Sequence, residues 1–149
     1  RPACVICPLQ DDCVARREGR TAELPTAKPG KVLPEREATA LWLRDGHGRV
    51  LLQKRPETGI WASLWTLPQA DSGAALQEWF DANVDGALED AEELPVLQHT
   101  FSHYRLHLQV LRTRVQGLKH EHPMLRWVAA VDLPALGLPA PIRKLLQAG

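Results

Sequence analysis

Three cysteines near the amino terminus are the residues of this 149-residue sequence whose type and spacing point most directly to chemistry. Cys4, Cys7 and Cys13 are followed by no further cysteine. An odd, clustered set favours a metal site over a disulfide framework. Structural zinc sites and cubane iron–sulfur clusters usually take four protein ligands. We therefore predict a partial metal site whose fourth ligand precedes Arg1. A zinc-binding interaction domain and three ordinary reduced thiols are the alternatives.

Two other groups of residues further along the chain could also do chemistry. Glu78 and Asp81 are three residues apart, so on a helix they share a face and could touch one cation, although such pairs more often lie on the solvated side. Phe101, Ser102 and His103 combine an apolar ring, a hydroxyl that donates and accepts, and an imidazole. By type alone, their structural interpretations as a core residue, a turn cap and a surface residue are preferred.

The composition limits the class of protein. With 44% hydrophobic and 24% charged residues, the chain is typical of a globular domain. No run of about 18 apolar residues is present to span a membrane, and the first residues do not form a secretory signal. The 18 basic and 18 acidic side chains balance, which removes the argument for DNA binding that a strongly basic domain would give. We expect a soluble, cytoplasmic protein with no membrane partner.

The elements that must position these residues follow from the hydrophobic pattern. They are, in chain order, strands at 37–44, 49–54 and 64–67, a helix containing Leu76, Trp79, Phe80 and Val84, a solvated acidic loop at 89–93, a β-like region at 96–115, a strand at 125–131 and a helix containing Ile142, Leu145 and Leu146. This order predicts an α+β fold, in which helices cover a mixed sheet as in an α/β/α sandwich.

The chain divides into three predicted parts. Residues 1–18 carry the cysteines and are predicted to be the end of another domain. Residues 19–35 are rich in proline and glycine and show no apolar periodicity, which is typical of a linker. Residues 36–149 form the predicted globular domain.

Residues 51–68, with the sequence LLQKRPETGIWASLWTLP, resemble the strand, loop and strand before the signature of Nudix hydrolases. In working members of that family, a helix follows with the pattern R-E-x-x-E-E, whose carboxylates hold the magnesium ions that polarise a diphosphate. Here the corresponding residues, 73–81, have only Glu78 and Asp81 as acidic side chains. A magnesium-dependent Nudix nucleotide hydrolase is therefore the alternative function rather than the leading one.

The stretch from His99 to His103 resembles the Phe-Ser-His loop of adenine DNA glycosylases of the MutY type. The cysteine spacing C-x2-C-x5-C matches the last three positions of the iron–sulfur motif C-x6-C-x2-C-x5-C in that family. Residues 33–36 and 138–141 are also similar, so the resemblance covers essentially the whole chain. It implies a Nudix-like mixed sheet with two helices, preceded by a linker and the remnant of an iron–sulfur loop. It also implies that Cys4, Cys7 and Cys13 hold a 4Fe–4S cluster in the full-length parent, incomplete or absent in residues 1–149 alone.

The resemblance further implies a role in DNA base-excision repair, as the 8-oxoguanine-recognition domain of an enzyme that removes adenine mispaired with 8-oxoguanine. Oxidised guanine gains a carbonyl at C8 and a proton on N7, so its reader needs an acceptor, which Ser102 offers. Phe101 would supply an apolar or stacking face, and His103 a donor to phosphate or sugar.

The partners implied by the resemblance are duplex DNA containing 8-oxoguanine paired with adenine and the amino-terminal helical glycosylase domain of the same chain. That helical domain would supply base flipping and catalysis, so none of the present residues is expected to be catalytic. We expect residues 1–149 alone to release no adenine, and we expect the parent protein to be associated with the nucleoid.

Overall fold

The computed structural model describes residues 2–26, 30 and 32–149. Contacts divide the chain into one compact unit that ends at Val32 and a second from Leu33 to Gly149. The first unit contains a 3-10 helix (Cys4–Ile6) and the short helix α1 (Val14–Arg17). Residues 27–29 and 31 of the predicted linker lie outside the described residues. The predicted division into tail, linker and recognition domain therefore stays a prediction.

The second unit holds a mixed sheet and two helices. Its elements are β1 (Glu35–Arg44), β2 (Val50–Lys54), β3 (Trp65–Thr66), β4 (Gln69–Ala70), α2 (Gly73–Asn83), β5 (Val84–Asp85), β6 (Glu92–Thr100), β7 (Arg105–Arg114), β8 (Gly117–Leu118), β9 (Leu125–Val128), a 3-10 helix (Ala130–Ala135) and α3 (Ala140–Ala148). No helix in the described parts of the chain is long and apolar enough to cross a membrane.

The central sheet has the strand order β3-β2-β1-β7-β6, with β4 paired to β1 and β9 paired to β2. β1 and β7 run parallel and pair from Glu35 opposite Arg105 to Arg44 opposite Arg114, whereas the other neighbours are antiparallel. A parallel pair needs a long crossover connection, and here that connection contains α2. The predicted α+β class with a mixed sheet is confirmed.

The two faces of the sheet are covered by different helices. Because side chains alternate along a strand, β1 buries Ala40 and Trp42 in one apolar cluster with Ile142 of α3. Its Leu41 and Leu43 lie in a second cluster. This second cluster also contains the buried residues of α2, which are Leu76 and Phe80. The result is the predicted α/β/α sandwich.

Local sequence signals fix the turn after β1 and the start of α2. The Asp45 carboxylate accepts hydrogen bonds from the backbone N–H groups of His47 (2.9 Å) and Arg49 (2.8 Å), while Gly48 adopts a left-handed φ of 75°. Ser72 caps α2 by accepting a hydrogen bond from the Ala75 N–H at 3.2 Å. The first two predicted strands are therefore present as an antiparallel hairpin, and the first predicted helix is present as α2.

Four predicted elements differ from the structure. The predicted helix that was to contain Val84 ends at Asn83, because Val84 adopts an extended conformation and begins β5. The region 96–115 is two antiparallel strands rather than one continuous element, because a turn separates β6 from β7. β6 begins at Glu92, inside the predicted acidic loop 89–93, since Glu92 pairs opposite Arg112 and forms an ion pair with it at 2.7 Å. The predicted strand 125–131 ends at Val128, where the chain turns into a 3-10 helix.

Candidate nucleic-acid interface

A four-residue turn, residues 101–104, joins β6 to β7 and carries the predicted recognition residues. Thr100 pairs opposite Arg105, and the backbone N–H of Phe101 donates to the carbonyl oxygen of Tyr104 at 2.8 Å. Ser102 and His103 occupy the tip of this turn, and both are exposed. The antiparallel hairpin thus places the hydroxyl and the imidazole side by side at the end of the sheet.

Phe101 points into an aromatic cluster at the base of the turn. Its ring centroid lies 4.6 Å from that of His99 in an edge-on arrangement, 4.9 Å from that of Tyr104 and 5.7 Å from that of Trp61. The side chain is half-buried and packs against the apolar cluster that α3 covers. These contacts anchor the turn, and the DNA contact predicted for Phe101 stays a prediction.

Trp61 reaches this cluster because its backbone adopts an uncommon conformation. Its φ is 54°, and that of Ser63 is 59°. The left-handed region is an outlier for a bulky residue such as tryptophan. No local sequence pattern marks Trp61 as part of the site, because composition does not indicate a left-handed conformation at a residue other than glycine.

The two exposed side chains of the turn contact each other. Ser102 Oγ and His103 Nδ1 are 3.2 Å apart, a hydrogen-bond distance in which either the hydroxyl or the ring N–H can donate. The imidazole also packs on the Tyr104 ring, with centroids 4.8 Å apart and an interplanar angle of 73°. The buried Tyr104 therefore supports the ring of His103 from the protein side.

A cleft of about 340 Å³ adjoins the turn and is lined by Tyr104, Arg55, Gln69 and Arg36 among others. The Arg36 guanidinium carbon lies 4.8 Å from the centre of the Tyr104 ring, a cation–π contact. Among the described residues, no hydrogen-bond partner is found for the buried atoms Arg55 Nε, Gln69 Oε1 or the Tyr104 hydroxyl. The cleft therefore places two arginines, the carboxylates of Glu37 and Asp71, and unsatisfied polar groups beside the turn.

The ionisation of Tyr104 reflects these surroundings. Burial raises the pKa of its hydroxyl above the ordinary value of 10.0. The positive charges of Arg36 and Arg55 oppose this rise in pKa, whereas the Asp71 carboxylate adds to it. Tyr104 is thus a neutral hydrogen-bonding group at neutral pH.

The three cysteines lie in the first unit and are not joined in a disulfide. Cys4 begins the 3-10 helix, Cys7 follows it and Cys13 caps α1; all three are half-buried free thiols. In the described residues, no group of three or more His, Cys, Asp or Glu side chains is arranged to hold a metal ion. The residues present are thus not a complete metal site, and the predicted iron–sulfur cluster stays a prediction.

The carboxylates of α2 do not match a magnesium-binding helix. Glu78 and Asp81 are both exposed, and Asp81 Oδ1 accepts a hydrogen bond from Gln77 Nε2 at 2.9 Å. α2 runs from Gly73 to Asn83 and contains no other acidic residue. Two solvated carboxylates supply too few ligands for the cation cluster that a Nudix hydrolase uses, so the hydrolase alternative is not favoured.

The mixed sheet between two helices and the loop–helix segment after β2 define the class of this protein as a Nudix-type α/β/α sandwich. The NUDIX domain family model matches residues 39–148, and the chain belongs to this family. It is similar to the adenine DNA glycosylase of Buchnera aphidicola subsp. Schizaphis graminum, with 24% identity over 149 residues, 98% of this chain and 43% of the relative. The Arabidopsis thaliana adenine DNA glycosylase is 28% identical over 186 residues, 97% of this chain and 29% of the relative. The chain thus spans less than half the length of these curated relatives.

Solved structures show the same fold. The carboxy-terminal domain of mouse MUTYH, in a complex with human PCNA, matches with a TM-score of 0.63 at 19% identity, covering 74% of this chain and 84% of that chain. The MutT protein from Methanosarcina mazei Go1 matches with a TM-score of 0.61 at 18% identity, covering 80% of this chain and 95% of that chain. The predicted resemblance to Nudix domains and to adenine DNA glycosylases is confirmed.

Proposed function

We propose that this chain is the part of an adenine DNA glycosylase that recognises 8-oxoguanine opposite adenine. The observation that carries the proposal is the turn between β6 and β7, which exposes Ser102 and His103 while Phe101 anchors it. The similarity to adenine DNA glycosylases extends over 98% of the chain, so it includes this turn and the cysteine segment. A packed hairpin end holds its tip rigidly enough to read a base edge by hydrogen bonding.

The chemistry of the turn suits the lesion. Guanine presents N7 and O6 as acceptors in the major groove. Oxidation at C8 converts N7 into an N–H donor, so a hydroxyl that accepts distinguishes the two bases. Ser102 supplies such a hydroxyl, and His103 supplies a ring nitrogen that can donate to a phosphate or sugar oxygen. Arg36 and Arg55 line the cleft beside the turn and offer donors for phosphate oxygens, although Glu37 and Asp71 line the same cleft.

The iron–sulfur cluster and the catalytic site are proposed to be completed by residues outside 1–149. Within these residues, Cys4, Cys7 and Cys13 would supply three thiolate ligands of a 4Fe–4S cluster, which would stabilise the fold of the first unit. Adenine flipping and cleavage of its glycosidic bond would belong to the helical glycosylase domain. Duplex DNA containing the 8-oxoguanine:adenine pair is the proposed ligand of the whole protein.

Fluorescence anisotropy tests the proposal with the full-length protein and its Ser102→Ala, His103→Ala double variant. The probes are duplexes with 8-oxoguanine or guanine opposite adenine. We expect the parent to bind the oxidised duplex preferentially and the double variant to lose most of this preference. A matched Thr100→Ala variant, altered on the exposed strand next to the turn, should keep it. Equal discrimination between the 8-oxoguanine and guanine duplexes by the parent and the double variant would contradict the recognition role of Ser102 and His103.

A further inference from the structure

The contact between Ser102 and His103 determines whether each residue presents a hydrogen-bond donor or an acceptor to a ligand. Ser102 Oγ and His103 Nδ1 are 3.2 Å apart, so one hydrogen bond can form between them. In one arrangement the Ser102 hydroxyl donates to Nδ1. In the other, Nδ1–H donates to Ser102 Oγ. The exposed atoms of the pair have opposite hydrogen-bonding character in the two arrangements.

When the hydroxyl donates to Nδ1, the neutral imidazole carries its proton on Nε2. Ser102 Oγ then has only lone pairs free to face a ligand, and His103 presents an N–H. When Nδ1–H donates instead, Ser102 presents its O–H and the neutral ring presents a lone pair at Nε2. In the first arrangement Ser102 can only accept, beside a donor on His103. In the second, Ser102 can donate through its O–H or accept through its remaining lone pair, beside an acceptor on His103.

Damaged DNA matches the first arrangement at both residues. In the second arrangement Ser102 Oγ keeps one lone pair that can accept, but the neutral His103 ring has no donor for a phosphate. The N7–H of 8-oxoguanine is a donor and needs an acceptor, whereas a phosphate oxygen is an acceptor and needs a donor. Unmodified guanine offers N7 as an acceptor and would favour the second arrangement at Ser102. A phosphate held by Nε2–H therefore favours the state of Ser102 that accepts from the lesion.

We propose that His103 is a specificity-determining residue, which makes Ser102 an acceptor for the N7–H of 8-oxoguanine by taking the Ser102 hydroxyl proton in a hydrogen bond at Nδ1. This inference rests on the proposed function and assigns a separate task to each residue. Ser102 touches the base, and His103 sets the direction of the Ser102 hydroxyl.

The surroundings of the pair hold the two side chains next to each other. The His103 ring stands edge-on to the buried Tyr104 ring, which restricts rotation of the imidazole. The hydrogen bond from Phe101 N–H to the Tyr104 carbonyl fixes the backbone on both sides of the pair. Among the described residues, the Ser102–His103 contact is the one side-chain hydrogen bond that either residue makes. Both outward faces are therefore free for a ligand.

Two substitutions separate this role from a simple phosphate contact. His103→Asn keeps an acceptor oxygen near the position of Nδ1, whereas His103→Lys keeps a donor for phosphate but has no acceptor. Anisotropy with the full-length protein would use duplexes with 8-oxoguanine, guanine or 8-bromoguanine opposite a 2′-fluoro adenosine that resists excision. The bromo base has bulk at C8 but no N7 proton, so it isolates the reading of N7–H.

We expect the parent and His103→Asn to prefer 8-oxoguanine over 8-bromoguanine. In His103→Lys the ratio of the two affinities should fall about three- to tenfold, which corresponds to the free energy of one net hydrogen bond. His103→Lys should still bind the unmodified duplex, because lysine keeps a donor for phosphate and adds a positive charge. Nitrogen-15 NMR of the imidazole should show the Nε2–H tautomer of His103. Retained preference in His103→Lys, an equal loss in His103→Asn, or an Nδ1–H tautomer would overturn the inference. If Ser102→Ala also discriminates like the parent, the proposed function itself fails.

Discussion

The backbone N–H of Phe101 donates to the carbonyl oxygen of Tyr104 across 2.8 Å, and this hydrogen bond closes the turn between β6 and β7. The rings of both residues also contact each other, with centroids 4.9 Å apart. Ser102 and His103, between them in the chain, are exposed. The turn therefore separates residues that anchor it from residues that can meet a ligand.

Replacing Phe101 tests the anchoring role. We expect Phe101→Ala to lower the free energy of unfolding by about 2 kcal/mol, less than a fully buried phenylalanine would lose, because the ring is half-buried. Phe101→Leu keeps apolar volume and should lose less than half of that amount. Urea unfolding of both variants checks the prediction. An unchanged stability in Phe101→Ala would show that the ring serves the ligand rather than the fold.

The buried carboxylate of Asp45 makes the stability of the domain depend on acidic pH. Burial alone would raise its pKa, but hydrogen bonds from Arg49 and from the His47 backbone outweigh that effect and hold the pKa below the ordinary 3.8. Arg49 Nε donates to Asp45 Oδ2 at 2.7 Å. The stabilising contribution of Asp45 is therefore complete above pH 3.8 and is lost as the pH falls through its lower folded-state pKa.

Asp45→Asn tests this dependence. At pH 7 we expect the variant to be less stable by about 1–3 kcal/mol, because the amide replaces one acceptor oxygen of a buried, charge-assisted group. Urea unfolding from pH 7 down to pH 2 should show the gap between parent and variant narrowing below pH 3.8. A gap that stays constant over this range would contradict the lowered pKa. Ser72→Ala offers a control, since it removes an uncharged cap.

The sequence predicted the sheet and its two covering helices, because each leaves a local pattern such as the apolar run of β1. The residues at the tip of the turn were predicted from the resemblance of the Phe-Ser-His stretch to a known family. Arg36 and Trp61 were not predicted as neighbours of the turn. Arg36 reaches Tyr104 through the parallel pairing of β1 with β7, and Trp61 through a left-handed backbone conformation. Both depend on long-range geometry that no local pattern encodes.

The chain alone should not release adenine from DNA. The proposal places base flipping and glycosidic cleavage in a helical domain outside residues 1–149, so these residues would contribute lesion contacts without a general acid for the reaction. Incubating the isolated chain with an 8-oxoguanine:adenine duplex, followed by alkaline cleavage and gel analysis, should show no strand breaks. The full-length protein is the positive control. Adenine release by the isolated chain would contradict this assignment.

The cysteines offer a test of the proposed cofactor. In the full-length protein, Cys7→Ser should remove most of the iron and acid-labile sulfide, because a hydroxyl is a poor ligand for an iron–sulfur cluster. Elemental analysis and absorbance near the thiolate–iron bands measure the loss, and Ser102→Ala is the matched control with its cluster intact. Zinc without iron or sulfide in the parent protein would contradict the prediction and favour a zinc-binding interaction domain instead.

The most direct test of the central claim is the single-turnover rate of adenine excision by the full-length protein and its Ser102→Ala variant. Rates would be compared on duplexes with adenine opposite 8-oxoguanine and opposite guanine. We predict that Ser102→Ala slows excision opposite 8-oxoguanine by about three- to tenfold while the rate opposite guanine stays the same, since only the lesion offers the N7–H that Ser102 accepts. Equal slowing on both duplexes, or no slowing on either, would contradict the account.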